Sequence, residues 1–283
     1  AGTAGELRGV KTGEGEGEGF RVTRVEILDG EGARALGKPV GSYVTLELSG
    51  LQEREEGALA RAARAVAAEL TALLGDLGPS DPVLVVGLGN RAITPDAIGP
   101  KAADLTLVTR HLVEAEPERF GLFRPVAALA AGVLGTTGVE SGELVKAVAE
   151  KVRPARILAV DALASRSLKR VCRTVQLSDV GIVPGSGVGN HRYALDRETL
   201  GVPVIAVGVP TVVDAATLCA DVLAEAGRGD LDPQALGDAG RGVIVAPREI
   251  DSDVSDLAKV LGYGIDLALQ PALRLADIEL LTG

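Results

Sequence analysis

Two aspartates stand where a carboxylate could do chemistry. Asp96 lies in the stretch VLVVGLGNRAITPDAIGPKAADLTLVTRH (83–111), after an apolar run, a Gly-Leu-Gly-Asn turn and a Thr-Pro pair. Asp161 directly follows the apolar run RILAV (156–160). Each acid alone has a bland explanation. Thr94 as cap and Pro95 at the first helical position place Asp96 in a first helical turn, where a carboxylate gains about 0.3–1 kcal/mol from the helix dipole. Asp161 reads as the cap of a helix beginning near residue 162. Together they say more. Two carboxylates at one rim of a sheet can share a proton, one serving as base towards a water and the other as acid, because close like charges do not both ionise. Asp179 and Asp214 are further acids placed by the pattern near the same rim.

Other constellations carry less. Gly87-Leu88-Gly89-Asn90-Arg91-Ala92 fits a GxGxxA dinucleotide pattern. In a nucleotide site, however, the helix opens inside the motif and meets the pyrophosphate. Here Thr94-Pro95 moves the helix start past it, and the acid that follows, Asp104, falls on the helix. The Gly-rich VPGSGVGN (183–190) lacks the GK[ST] ending of a phosphate loop, and both a structural turn and a loop over a site fit it. His111 and His191 are the only histidines and make no HxxH or HExxH spacing, so no metal ligand set is assigned. Ser165 near a strand end lacks a GxSxG elbow.

The elements that must position the acids follow from periodicity. Residues 20–28 and 43–48 alternate apolar and polar, as an antiparallel pair at a sheet edge does. Residues 53–74 have helical spacing and end at Gly75. From residue 83 short apolar runs (83–87, 125–130, 156–160, 203–208, 242–246) alternate with helical segments (95–108, 140–152, 212–226), and 255–269 closes the chain as a helix. This predicts an α/β fold, a largely parallel sheet covered by helices on both faces, with an antiparallel β hairpin near the N-terminus. Residues 1–19, with their GEGEGEG run, read as a flexible segment and 20–283 as a single α/β domain. Ligands of such sheets sit at the carboxyl ends of the strands, which here are 87–96, 131–138, 161–167 and 209–214.

Composition narrows the partners. Of the 283 residues 46% are hydrophobic but only 2% aromatic, so the core is built of Ala, Val, Leu and Ile. A net charge of −10 argues against nucleic acid, which demands a surplus of cations, and favours a basic substrate or plain solubility. Cys172 and Cys219 lie in apolar stretches without CxxC spacing and read as two buried free thiols of a reducing compartment. No apolar run is long enough to span a membrane, so a soluble, unexported, cytoplasmic protein without membrane partners is expected.

Long stretches carry a resemblance. GKPVGSYVTLEL (37–48), VVGLGNRAITPDAIGPKAADLTLVTRHL (85–112), GVLGTTGVESGELVKAV (132–148), AVDALASRSLKRV (159–171), DVGIVPGSGVGN (179–190) and GVPVIAVGVPTVVDA (201–215) resemble the germination proteases, endopeptidases of spore-forming bacteria that degrade small acid-soluble spore proteins. A weaker match covers APREIDSDVSDLAKVLGYGIDLAL (246–269). The resemblance implies an atypical aspartic endopeptidase of the spore core, made as a zymogen, tetrameric, needing no cofactor, and cutting at an acidic residue followed by an apolar one. It maps the two family aspartates onto Asp96 and Asp161. The fold is similar to that of hydrogenase-maturation peptidases, whose nickel is held by two acids and a His. No His stands at a matching place here, so the metal does not carry over. The Arg-Thr-Asp-Leu-Ala-like opening of the family precursor has no counterpart in AGTAGELRGV, which leaves zymogen control open. A metal-assisted peptidase and a nucleotide- or small-ligand-binding protein are the competing readings.

Overall fold

A computed structural model describes residues 7–185, 193–228 and 242–282. One mixed sheet organises them. Its strands are β1 (Val10–Gly17), β2 (Phe20–Ile27), β3 (Gly41–Glu47), β4 (Val83–Leu88), β5 (Val126–Gly132), β6 (Arg156–Ser165), β7 (Thr174–Ser178), β8 (Val204–Asp214) and β9 (Ile244–Val245). The order is β1-β2-β3-β7-β8-β6-β4-β5, with β9 paired to β8. β8, β6, β4 and β5 are parallel. β1, β2, β3 and β7 form an antiparallel wing that joins β8.

The parallel core is apolar on both faces because helices cover both, as its unbroken apolar runs require. Side chains alternate between the faces. Val83, Val85, Leu158, Val160, Ile205 and Val207 pack with the helices Ala58–Leu74 and Ile250–Leu269. Leu84, Val86, Leu88, Ile157, Ala159 and Val204 pack on the other side with Val145 and Ala149 of the helix Ser141–Val152. The scarcity of aromatic residues shows in how the two long helices meet. A Cβ at Gly264 would press on Val66 and on the Ala63 carbonyl, so the helices close on small residues.

The structure departs from expectation at several elements. Residues 10–17 of the supposedly flexible 1–19 segment form β1, in register with β2 from Val10 opposite Ile27 to Gly17 opposite Phe20. The Gly-Glu alternation needs no core there. The ladder is satisfied by backbone bonds, charges pair on its open face (Glu14 with Arg21 at 2.7 Å), and Glu18-Gly19 supplies the two positive-φ residues of a tight hairpin turn. The antiparallel wing is therefore wider than one hairpin.

Second, the helix expected over 53–74 begins at Ala58, after a short helix Ser49–Gln52. Arg54 and Gly57 both adopt positive φ, which breaks the helical path between them. Third, the helix expected over 95–108 is a 3-10 turn, Thr94–Asp96, followed by the α-helix Ile98–Asp104. Fourth, Cys219 is exposed, while Cys172 is buried and its thiol is pushed up to about 12 by burial; both are free. Cys219 sits on the helix Ala215–Glu225, of which no described residue is buried, so its apolar neighbours in sequence do not enclose it. No helix among the described residues is long and apolar enough to cross a membrane.

Candidate active site

The Gly-rich turn after β4 delivers Asp96. Gly89 has φ +109°, and a Cβ there would collide with the Asp96 carbonyl oxygen, so only glycine fits. The next amide, Asn90 N–H, donates to Asp96 Oδ2 at 2.7 Å. Asn90 Oδ1 in turn accepts from Ala92 N at 3.0 Å, an Asx turn that holds the loop. Asp96 N–H donates to the Ile93 carbonyl at 2.8 Å, which closes the 3-10 turn opened by Pro95.

The adjoining helix is then pressed against the strand ends. A Cβ at Gly99 would strike the carbonyls of Leu88 in β4 and Val160 in β6, and one at Gly87 would strike Gly99 itself. This approach of bare backbones seats the Asp96 turn over the ends of β4 and β6. The residue after Val160 is Asp161. It is 5% exposed, and its Oδ1 accepts from the Ala162 amide at 2.9 Å.

Asp161 does not cap a helix. β6 runs on to Ser165, paired with β8 beyond the point where β4 stops, so Asp161 lies within a strand that overhangs the rim. The local sequence DALAS reads as strand or helix. The pairing with β8, from Asp161 opposite Gly208 to Ser165 opposite Val213, decides it.

Asp96 and Asp161 line the same cavity, of about 380 Å³, which is a size suited to a small ligand or a few peptide side chains. Its walls are largely apolar, with Ile93, Val133, Leu163 and Val212 among them. Among the described residues, Ser141 and Thr211 supply its hydroxyls. Ser141 is spoken for, since its Oγ donates to the Gly132 carbonyl at 2.9 Å. Neither hydroxyl was singled out by sequence; Ser141 falls inside a helix pattern and Thr211 inside an apolar strand.

The remaining candidates are elsewhere. Asp214 caps the helix Ala215–Glu225, taking hydrogen bonds from Thr217 Oγ1 (2.5 Å) and Thr217 N (2.9 Å), which hold its carboxyl below the usual range. Asp179 accepts from Ser42 N at 2.7 Å, tying β7 to β3. Neither lines the cavity. Ser165 Oγ donates to the Ser167 carbonyl, and His111 is exposed on a helix at the entry of β5, the opposite end of the parallel strands. His191 and 186–190 of the second Gly-rich loop lie outside the described residues. Among the described residues no group of three or more His, Cys, Asp or Glu could hold a metal ion.

The geometry also speaks to the nucleotide pattern. The Asn90 amide, which a pyrophosphate would need, already serves Asp96, and Asp104 is ion-paired to Arg91. The turn is a device for holding a carboxylate.

A family model described as germination protease matches residues 2–229. The germination protease of Clostridium perfringens (strain ATCC 13124) is 44% identical over 292 aligned residues, covering 93% of this chain and 88% of that protein. That of Caldanaerobacter subterraneus subsp. tengcongensis is 43% identical, covering 95% and 90%. That of Priestia megaterium is 48% identical over 221 residues, covering 77% of this chain and 60% of its own length.

Proposed function

The chain belongs to the germination protease family and is thus a peptidase, and from that premise we propose that Asp96 and Asp161 are its catalytic pair, acting on small acid-soluble spore proteins in the spore core. The observation that carries this reading is that both carboxylates line one cavity at the carboxyl ends of the parallel strands, delivered there by two different elements.

In this mechanism one carboxylate, ionised, takes a proton from a water. The other, protonated, donates a hydrogen bond to the oxygen of the scissile carbonyl. The water oxygen bonds to the carbonyl carbon, a tetrahedral intermediate forms, and the C–N bond breaks as the leaving nitrogen receives a proton from the acid pair. The apolar walls keep bulk water away from this exchange and strengthen the hydrogen bonds within it. The half-buried Asp96 and the nearly enclosed Asp161 sit in unlike surroundings, which is what separates the roles of two carboxylates. The wider proposal keeps the remaining family expectations: endoproteolysis, synthesis as a zymogen, and a homotetramer.

Cleavage of a purified small acid-soluble spore protein by Asp96→Asn and Asp161→Asn tests the pair. Both variants should keep the wild-type fold by circular dichroism and lose cleavage. Wild-type cleavage by either one refutes the assignment.

A further inference from the structure

Thr211 is a second kind of polar group in the same cavity. It is 1% exposed, it lines the cavity with Asp96 and Asp161, and its Oγ1 is buried without a hydrogen-bond partner among the described residues. Ser141, the other hydroxyl of the wall among the described residues, is satisfied by the Gly132 carbonyl. A buried hydroxyl without a partner is costly, and native structures hold few.

Its placement is also irregular. Along the β6–β8 ladder Leu163 pairs with Pro210, but Ala164 pairs with Val212. Thr211 is the extra residue of a bulge in β8. Bulges are rare between parallel strands, and they re-aim a side chain that regular pleating would direct elsewhere. This one falls within the overhang of β6 and β8 beyond β4, beside Ala162, Leu163 and Ala164, all of which line the cavity.

We infer that Thr211 is a substrate-contacting residue, whose hydroxyl, closed to solvent in the free enzyme, turns about χ1 into the cavity when a peptide binds and gains its missing hydrogen bond from the peptide main chain. The inference rests on the peptidase reading of the Asp96–Asp161 cavity. A peptide bond offers both a carbonyl and an amide, and a hydroxyl can serve either. A group left unsatisfied in the free enzyme and satisfied in the complex adds its full desolvation penalty to the preference for the bound state.

The test compares Thr211→Val, Thr211→Ser and Asp161→Asn on a small acid-soluble spore protein, with kcat and KM determined separately and thermal unfolding measured for each. Valine keeps the branched shape and removes the hydroxyl. The expectation is a fall in kcat/KM of roughly tenfold or more for Thr211→Val, the range of one lost hydrogen bond in a dry site. Its Tm should equal or exceed that of the wild type, because an unsatisfied polar atom has gone. Thr211→Ser, which retains the hydroxyl, should stay within about threefold of wild type. Wild-type kcat/KM in Thr211→Val, or equal impairment of the serine and valine variants, overturns the inference. If Asp161→Asn is inactive in that same experiment, the aspartate pair stands while Thr211 falls. A fully active Asp161→Asn removes the pair itself.

Discussion

Gly89 and Asp96 are in backbone contact across the turn that follows β4: a Cβ on Gly89 would collide with the Asp96 carbonyl oxygen and sit 3.0 Å from its Oδ1, at a φ of +109°. The glycine and the acid are one structural unit. Gly89→Ala adds both backbone strain and a collision, so it should cost about 2–4 kcal/mol of stability or push Asp96 out of the cavity. Chemical denaturation and peptidase assays on the variant measure the two effects. Unchanged stability with unchanged activity would contradict the placement of this turn.

Asp266 predicts a pH dependence of folding. It is 1% exposed in the helix Ile250–Leu269, and burial pushes its carboxyl up to about 7, opposed by the hydrogen bond from Leu107 N at 2.9 Å. In the unfolded chain an aspartate titrates near ~3.9. Between these values the native state holds a proton that the unfolded chain has released. The stability tied to that proton is complete below about pH 4 and lost as pH rises through about 7. Asp266→Asn keeps an acceptor for Leu107 N and carries no charge. Its unfolding free energy should therefore exceed that of the wild type at pH 8, by at most roughly 4 kcal/mol, and the gap should close on titration to pH 4. Urea midpoints across that range measure it.

Arg24 and Glu69 join the antiparallel wing to the helix Ala58–Leu74. Glu69 is 6% exposed and receives both Arg24 Nε, at 2.9 Å, and Arg24 Nη2. Removing only the cation leaves a buried carboxylate without its partner, whereas removing both charges does not. Arg24→Leu should lower stability by about 2–4 kcal/mol, and the double variant Arg24→Leu/Glu69→Leu should recover much of that loss. Denaturant midpoints that fall further in the double variant would contradict the burial of the Glu69 carboxylate.

Sequence periodicity made the parallel core legible because strands buried on both faces are continuous apolar runs, as in VLVVG and RILAV. The rim that holds Asp96 and Asp161 followed from the same topology. What periodicity missed came from tertiary terms. The GEGEGEG run pairs as β1 through backbone bonds and surface charges that leave no hydrophobic trace. Asp161 continues a strand because β8 extends alongside it, which no local pattern encodes. Thr211 is hidden inside the apolar run GVPTVV, since a bulge is a mismatch between two strands and neither strand shows it alone. The glycines at 87 and 89 were legible as a turn that brings an acid to the site, but the contacts that require them and Gly99 were not: they let bare backbone approach bare backbone at its mouth.

The proposed catalysis requires Asp96 and Asp161 to act as one unit. The most direct measurement is kcat/KM on a small acid-soluble spore protein for Asp96→Asn, Asp161→Asn and the double variant. Groups that act together are strongly non-additive. Each single variant should lose on the order of a thousandfold or more, and the double should be no worse than either single. Losses that multiply in the double variant, or a single variant that cleaves at the wild-type rate, would contradict a shared role for Asp96 and Asp161.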